Sequence, residues 1–228
     1  MIALTFDTDW AVGPILAYTN AILKESRARA TVFCTDSKPK DEFSEKWHEL
    51  AIHPFFTEKD GEYSKLHNLL QMYPQAKGIR AHCSYVSTKV NELCAQLGLL
   101  YDSSYIIPRP LDPFPLFGLT EIPVRWADNY VFTYNRALFS REEIAKIALE
   151  DRLSVFLFHP IHVYLNTDTY ARYEQAKPHY HDPKMLEKFR NRSAFGTEDC
   201  LRYLLELISK KSIPMCQMRE AAAHPIPS

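Results

Sequence analysis

Short apolar runs alternate along the chain with stretches of helical spacing. Ile2 to Phe6 predicts a buried strand, and Pro14 to Arg27 a helix with Ile15, Leu16, Ile22 and Leu23 on one face. Ala30 to Cys34 predicts a strand, Glu49 to His53 a short strand end, Ser64 to Tyr73 a helix, and Gly78 to Ala81 a strand. In Thr88 to Leu97 the apolar residues Val90, Leu93, Cys94 and Leu97 share a helix face, which Gly98 terminates. Leu99 to Tyr101 and Thr120 to Val124 predict strands. Four prolines between Ile107 and Phe117 impose an extended loop. Ser140 and Glu143 form a capping box that opens a helix to about Leu149. Ser154 to Phe158 is a strongly apolar strand ending at His159-Pro160. Lys177 to Arg192 is polar and aromatic and predicts a mobile lid. Thr197 caps a helix with Leu201, Leu204, Leu205 and Ile208 on one face, and Ile213 to Cys216 is a last strand.

About seven strands alternating with helices, with no linker between them, predict one parallel α/β domain over residues 1–228, either a barrel or a doubly wound sheet. In both architectures function collects at the carboxyl ends of the strands. The polar residues expected there are Asp7, Asp9, His53, Arg80, His82, Asp102, Trp126, Asp128, His159 and His162. Charge adds an exclusion: 27 Lys and Arg against 28 Asp and Glu leave no basic excess for a nucleic-acid partner. Only 6 glycines are present, and neither a dinucleotide fingerprint nor a Walker motif occurs. Five widely spaced cysteines without a C-x-x-C pair predict free thiols in a reducing compartment. The Met1-Ile2-Ala3 start has no signal-peptide pattern, and no apolar run is long enough for a transmembrane segment. A cytoplasmic location is therefore expected.

Asp7 and Asp9 at one strand tip suit a shared metal, or a ligand beside a base. Taken alone they also suit a helix N-cap. His53 precedes Pro54, which keeps it extended, and a neutral imidazole there is a ready metal ligand. His48 reads as a surface or supporting histidine. His159 follows the most apolar strand, where partial shielding suits a general acid, whereas His162 reads as a core or binding histidine. Arg80 and His82 alternate on one strand end and so share a side, with Arg80 placed to clamp a carboxylate. Trp126 and Asp128 are candidates to support His159.

In order and type these segments resemble the NodB-type polysaccharide deacetylases, carbohydrate esterases with a distorted (β/α)7-type barrel. Thr5-Phe6-Asp7-Thr8-Asp9-Trp10 matches the first motif, Glu49 to Pro54 resembles the second, and Arg80-Ala81-His82 stands where R-x-P is expected. Trp126-Ala127-Asp128 stands for the fourth, and Leu157-Phe158-His159-Pro160 matches the fifth. The likeness covers about residues 1 to 165. It is closest to the WbmS-like branch, tied to surface-polysaccharide biosynthesis, through His159-Pro160-Ile161-His162 running on to Asn166. It implies Asp7 as catalytic base, Arg80 as its orienting partner, His159 as general acid, and Asp128 as a further member of the catalytic set. It implies Asp9 and His53 as ligands of a divalent metal, expected to be zinc, and Trp10, Trp126, His162 and Asn166 as substrate-binding residues. The expected partner is an acylated sugar, nucleotide-linked, lipid-linked or oligomeric, that loses an N-acyl or O-acyl group. Where the family has its second metal histidine this chain has Thr57. His82, with His162 behind it, is the expected replacement ligand. Three further readings compete: a degenerate carbohydrate-binding or scaffolding protein on the same fold, a haloacid-dehalogenase-like phosphatase, and a D-x-D glycosyltransferase. The phosphatase reading lacks the Gly-Asp acid motif, and the glycosyltransferase has only six residues before Asp7.

Overall fold

All six positions of the first strand, β1 (Ile2–Asp7), are buried, the pattern of a strand covered on both faces. The computed structural model describes residues 1–57 and 61–223. After β1 come β2 (Thr31–Cys34), β3 (Glu49–Ile52), β4 (Gly78–Ile79), β5 (Tyr101–Asp102), β6 (Phe114–Leu116), β7 (Leu119–Glu121), β8 (Trp126–Ala127), β9 (Ser154–Phe158) and β10 (Met215–Cys216). From β9 the sheet runs through β1, β2, β3, β4 and β5 to β7, every pair parallel. The chain from Leu119 to Ala127 then closes the ring. It starts beside β5, bridges to Ile106 at Val124, and ends as β8 beside β9. The result is the expected distorted barrel of seven parallel strands.

The period of two in β1 separates the two cores. Ile2, Leu4 and Phe6 face the helical layer and pack with Ile15, Leu16, Leu201 and Leu204. Ala3 faces the barrel interior with Phe33, Ala51, Tyr101, Val155 and Leu157. Gly78 is required at this interior: a Cβ there would lie 1.9 Å from the Tyr101 ring. The lower end is sealed from the carboxyl-terminal side. Strand β10 pairs with Ile2 and Ala3, beside the half of β1 that β2 does not reach. The helix Met218–Ala223 then places Met218 and Ala221 in the interior cluster. Buried Glu49 ties this floor together: it accepts the Thr31 hydroxyl at 2.8 Å, the Tyr101 hydroxyl at 2.9 Å and the Arg219 amide at 2.9 Å.

Several elements differ from the expectation. The proline-rich loop contains a strand, because β6 and β7 form an antiparallel hairpin turning through Phe117 and Gly118, both at positive φ. Two helices of seven and six residues, Asp128–Tyr134 and Pro160–Leu165, are too short to show periodicity. The expected lid is a packed run of short helical turns, Lys177–His179, Pro183–Leu186 and Glu187–Phe189. Arg190 within it pairs with Glu198 and bonds the Tyr164 carbonyl. Among the described residues no helix is long and apolar enough to cross a membrane.

Outside the ring, fully buried Glu121 faces Asp102, and its Oε2 has no hydrogen-bond partner among the described residues. Burial and then the Asp102 charge push its carboxyl up to about 9, and burial pushes Asp102 up to about 6. A carboxyl raised on folding stabilises fully below its unfolded pKa and loses that contribution as pH rises towards the folded value. Denaturant unfolding should therefore show stability falling between pH 5 and 9. Glu121→Gln should flatten that slope and add about 1–3 kcal/mol at pH 8. An unchanged slope in the variant would remove Glu121 as its source.

Candidate active site

At the upper end of the barrel Arg80 follows directly after β4 and turns its guanidinium inward, 3% exposed. Nη1 donates to Asp7 Oδ1 at 2.8 Å and to the Thr5 hydroxyl at 3.0 Å. Nε and Nη2 donate to the Ser103 carbonyl and hydroxyl at 2.8 and 2.9 Å. The guanidinium also lies over the Phe33 ring, 4.1 Å from its centre. Asp7 is thus held through one oxygen. Its other oxygen, Oδ2, stands 3.8 Å from His53 Nε2.

Three electron-pair donors converge beside Asp7. Asp9 Oδ1 lies 3.1 Å from both His53 Nε2 and His82 Nδ1, and the two nitrogens are 3.2 Å apart. His53 Nδ1–H donates to the Arg80 carbonyl at 2.5 Å, which leaves the Nε2 lone pair facing the cluster. Burial opposes the charged form of both residues. Nevertheless His53 and His82 hold the Asp9 carboxyl well below the usual range, and Asp7 and Asp9 raise the His53 imidazole. Both shifts say that the space between these atoms favours positive charge. One oxygen and two nitrogens at that spacing fit a small divalent cation with a position left open, and the N/O set suits zinc.

The ligand loops are held in unusual backbone. Asp9 and Trp10, and likewise Cys83 and Ser84, occupy the left-handed region at φ 41°, 60°, 58° and 53°. Such residues cost ~1–2 kcal/mol each and persist where neighbours fix them. Thr35 Oγ1 accepts the Trp10 amide at 3.1 Å, and the Tyr180 hydroxyl donates to the Asp9 carbonyl at 2.7 Å. His82 is not on a strand, because β4 ends at Ile79. A 3₁₀ turn, His82–Ser84, aims its Nδ1 at Asp9. Trp10 and Phe55 flank that imidazole edge-on at 5.2 and 5.1 Å.

Opposite the cluster, Asp128 bonds His159 twice, accepting the backbone amide on Oδ2 and Nδ1–H on Oδ1, both at 2.7 Å. Burial favours the neutral ring, but Asp128 outweighs it and the imidazole is pushed up to about 10. Its Nε2 faces Asp9 Oδ2 at 3.6 Å. A cavity of about 110 Å³ joins Asp7, Asp9, His53, Arg80, His82 and His159. A second, of about 260 Å³, opens on the far side of His159 between Tyr130 and Tyr134 of one helix and Tyr170 and Tyr173 of another.

The structure therefore brings Asp7, Asp9, His53, Arg80, His82, Asp128 and His159 together, with Trp10 at the rim. His162 lies in the wall of the tyrosine cavity rather than with the cluster of Asp9, His53 and His82. Its Nδ1 pairs with the Thr167 hydroxyl at 3.2 Å, and burial pushes its ring down to about 4, so it is neutral. Three expectations are corrected. Trp126 is 1% exposed, donates its indole N–H to the Leu138 carbonyl at 3.0 Å, and packs on Phe139, Phe156 and Phe158, out of reach of a substrate. Asn166 is the left-handed cap of Pro160–Leu165; its side chain bonds Asp199 at 2.8 Å and accepts the Glu198 amide at 2.9 Å. His48 is buried away from the site and pairs with Asn20 at 3.2 Å. Sequence reasoning missed the four tyrosines, although the i,i+4 and i,i+3 spacings of Tyr130/Tyr134 and Tyr170/Tyr173 are a legible signal for a shared helix face. It also missed Ser103, Thr35 and Tyr180, whose contacts depend on tertiary structure alone.

The sequence model of the WbmS-like polysaccharide deacetylases matches residues 4–177. No curated protein matches. Among solved structures, a Bordetella bronchiseptica protein described as a candidate polysaccharide deacetylase of O-antigen biosynthesis is 28% identical with a TM-score of 0.79, over 90% of this chain and 89% of that one. A candidate polysaccharide deacetylase from Mycobacterium smegmatis is 18% identical at TM-score 0.65, over 98% and 88%. A family 4 carbohydrate esterase from Streptomyces lividans, solved with acetate, is 14% identical at TM-score 0.52, over 95% and 90%. The last two likenesses are of fold alone.

The ligand assignment has a direct check in metal content after purification in zinc. His53→Ala and His82→Ala should each lose the ion, with affinity falling by more than the ~10–100-fold that removing an outer partner costs. His162→Ala should retain it. Loss of zinc in His162→Ala with retention in His82→Ala would reverse the assignment.

Proposed function

The chain belongs to the WbmS-like polysaccharide deacetylases, and we propose that it is a metal-dependent hydrolase removing an N-acyl group from a sugar during surface-polysaccharide biosynthesis. The observation that carries this reading is the pairing of a carboxylate clamped by Arg80 and an imidazole bonded to Asp128 across one donor cluster. Asp9, His53 and His82 would hold a divalent cation, which would supply polarisation of the acyl oxygen and acidification of water. Asp7, fixed through Oδ1 by Arg80, offers Oδ2 as the general base that takes the proton of the attacking water. His159 is the general acid. Asp128 keeps it an imidazolium at neutral pH, so Nε2 has a proton to give the departing amine. The sugar lies on the His159 side, where the tyrosine cavity provides stacking faces, and the acyl group lies on the Asp7 side in the smaller cavity.

A second reading keeps one specific support. Thr57 stands where the resembling family has its second metal histidine. On that reading the chain binds sugar on the same fold without turning it over. Metal content and acetate release decide between them: a stoichiometric ion with turnover of N-acetylated amino-sugar oligosaccharides supports the hydrolase, and sugar binding without turnover supports the alternative.

Two substitutions separate the roles. Asp7→Asn should lower turnover by ~10²–10⁴-fold at every pH while zinc content stays at wild-type level. Equal turnover would remove Asp7 from the mechanism. Asp128→Asn withdraws the charge that raises His159. The acid then loses its proton at lower pH, and the alkaline limb of the pH–rate profile should move down. A profile reduced in height with its limb unmoved would show that Asp128 only positions the ring.

A further inference from the structure

The proposed function uses two cavities and leaves a third unassigned. It measures about 440 Å³ and is lined by Trp10, His82, Tyr173, Lys177, Tyr180 and His181, together with Asp9. Asp9 is common to all three cavities, His82 is shared with the smaller one, and Tyr173 is shared with the tyrosine cavity. The third cavity therefore adjoins the donor cluster on its Trp10 side, with Tyr173 as the wall it has in common with the proposed sugar cavity. That wall continues from the helix Tyr170–Ala176 into the turn Lys177–His179. Tyr173 and Lys177 are four residues apart on one face, and Lys177 Nζ lies 5.8 Å from the centre of the Tyr173 ring. The Tyr180 hydroxyl, bonded to the Asp9 carbonyl at 2.7 Å, keeps Lys177 and His181 beside the cluster. His181 lies beyond residues 4–177, which the family model matches.

We propose that this cavity is a subsite for an anionic group, a carboxylate or a phosphate, carried by the part of the substrate next to the acylated sugar, with Lys177 and His181 as its donors and Trp10 as the ring face beside it. The inference rests on the hydrolase reading and adds a charge requirement to its substrate. The donors are accessible. The Lys177 side chain is 56% exposed and pairs with Glu174, itself 43% exposed, at 3.4 Å. Such an exposed pair contributes little, so an incoming anion can recruit the ammonium at small cost. His181 is exposed and offers an imidazole N–H. The carboxylate in the lining, Asp9, is engaged by His53 and His82, each at 3.1 Å. Among the described residues no lysine or arginine lines the tyrosine cavity, so the positive charge is confined to the third. An acylated sugar in the tyrosine cavity turns its acyl group to the donor cluster, and the group attached to that sugar reaches Lys177 past Tyr173. A carboxylate comes from a neighbouring uronic acid, and a phosphate from a nucleotide or lipid carrier. Charge-assisted bonds to either are short and strong.

Acetate release by the zinc-loaded protein tests this on three probes that share N-acetylglucosamine: neutral N-acetylated chitotetraose, hyaluronan tetrasaccharide with its carboxylates, and UDP-N-acetylglucosamine with its pyrophosphate. Wild type should favour at least one anionic probe over chitotetraose in kcat/KM. Lys177→Glu should lower that anionic-to-neutral ratio by ~10-fold or more, chiefly through KM, the loss of one charge-assisted bond. Lys177→Arg keeps the charge and should keep the ratio. Lys184→Glu makes the same charge change on an exposed residue outside the cavity and should leave the ratio within about twofold, which separates contact from long-range steering. A loss confined to hyaluronan assigns a carboxylate, and a loss confined to the UDP sugar assigns a phosphate. No preference in wild type, an unchanged ratio in Lys177→Glu, or an equal fall in Lys184→Glu overturns the subsite and leaves the hydrolase reading standing. A zinc-loaded protein that turns over none of the probes overturns the hydrolase reading. Calorimetric Kd values for the same probes and variants then decide the subsite by the same ratio, and binding of none of them overturns it too. Equal zinc content and melting temperature across the variants separate misfolding from loss of the contact.

Discussion

The buried guanidinium of Arg80 is the constraint on which the upper end of the barrel depends. It joins three strand ends: Thr5 and Asp7 of β1, its own position after β4, and Ser103 after β5. Its carbonyl fixes His53 through Nδ1. Burying such a pair is costly, and the Coulombic gain repays it only when the remaining donors are satisfied. Here Nε, Nη1 and Nη2 all have acceptors, and the Phe33 ring covers one face. A single residue therefore sets the free oxygen of Asp7 and the orientation of His53 together. Either could drift alone only by leaving a buried charge unpaired.

The same logic bears on the opposite roles that the proposed function gives two buried histidines. Each is oriented by what its Nδ1–H donates to. His53 donates to a neutral carbonyl, which turns Nε2 to Asp9 and His82, where the proposed function makes it a ligand. His159 donates to the carboxylate of Asp128, so the ring is stabilised as a cation and Nε2 carries a proton. A neutral acceptor on Nδ1 suits a ligand, and an anionic one suits an acid, which matches the proposed roles. His162 has a hydroxyl partner and packs on Phe132, Tyr173 and His159, and burial pushes its ring down.

Much of this was legible in the chain because it is carried by strand ends. Asp7, His53 and His159 each end or directly follow a buried run, and β/α alternation alone sends them to one rim. Asp128 was legible through the Trp126-Ala127-Asp128 motif rather than through a strand, since β8 is only two residues long. What the chain concealed depends on backbone off the strands. His82 reads as alternating with Arg80, yet it reaches Asp9 through a 3₁₀ turn with Cys83 and Ser84 left-handed, which no periodicity reports. Trp126 and Asn166 carry motif positions but serve packing and a helix cap, since indole and amide groups suit both uses. The closing run Leu119–Ala127 was half visible, because it changes partner from β5 to β9 midway and never repeats one pattern.

The residues beyond the family match are part of the same device. Tyr180 holds the carbonyl of Asp9, a residue in left-handed backbone, from a segment whose composition alone suggests a loose lid. That segment is itself pinned: Arg190 pairs with Glu198 at the start of the long helix Thr197–Lys211 and bonds Tyr18, which also bonds Glu198 at 2.7 Å. Two of its basic residues are held by carboxylates, Arg190 by Glu198 and Arg192 by Glu187. At the other end of the ring, Met218 and Arg219 close the floor over Glu49. The barrel is thus braced at both ends by the segment from Tyr180 to Ala221. The upper brace acts where the backbone is most strained, on the loop that carries Asp9, and this lets two left-handed residues persist beside a buried cluster of charge.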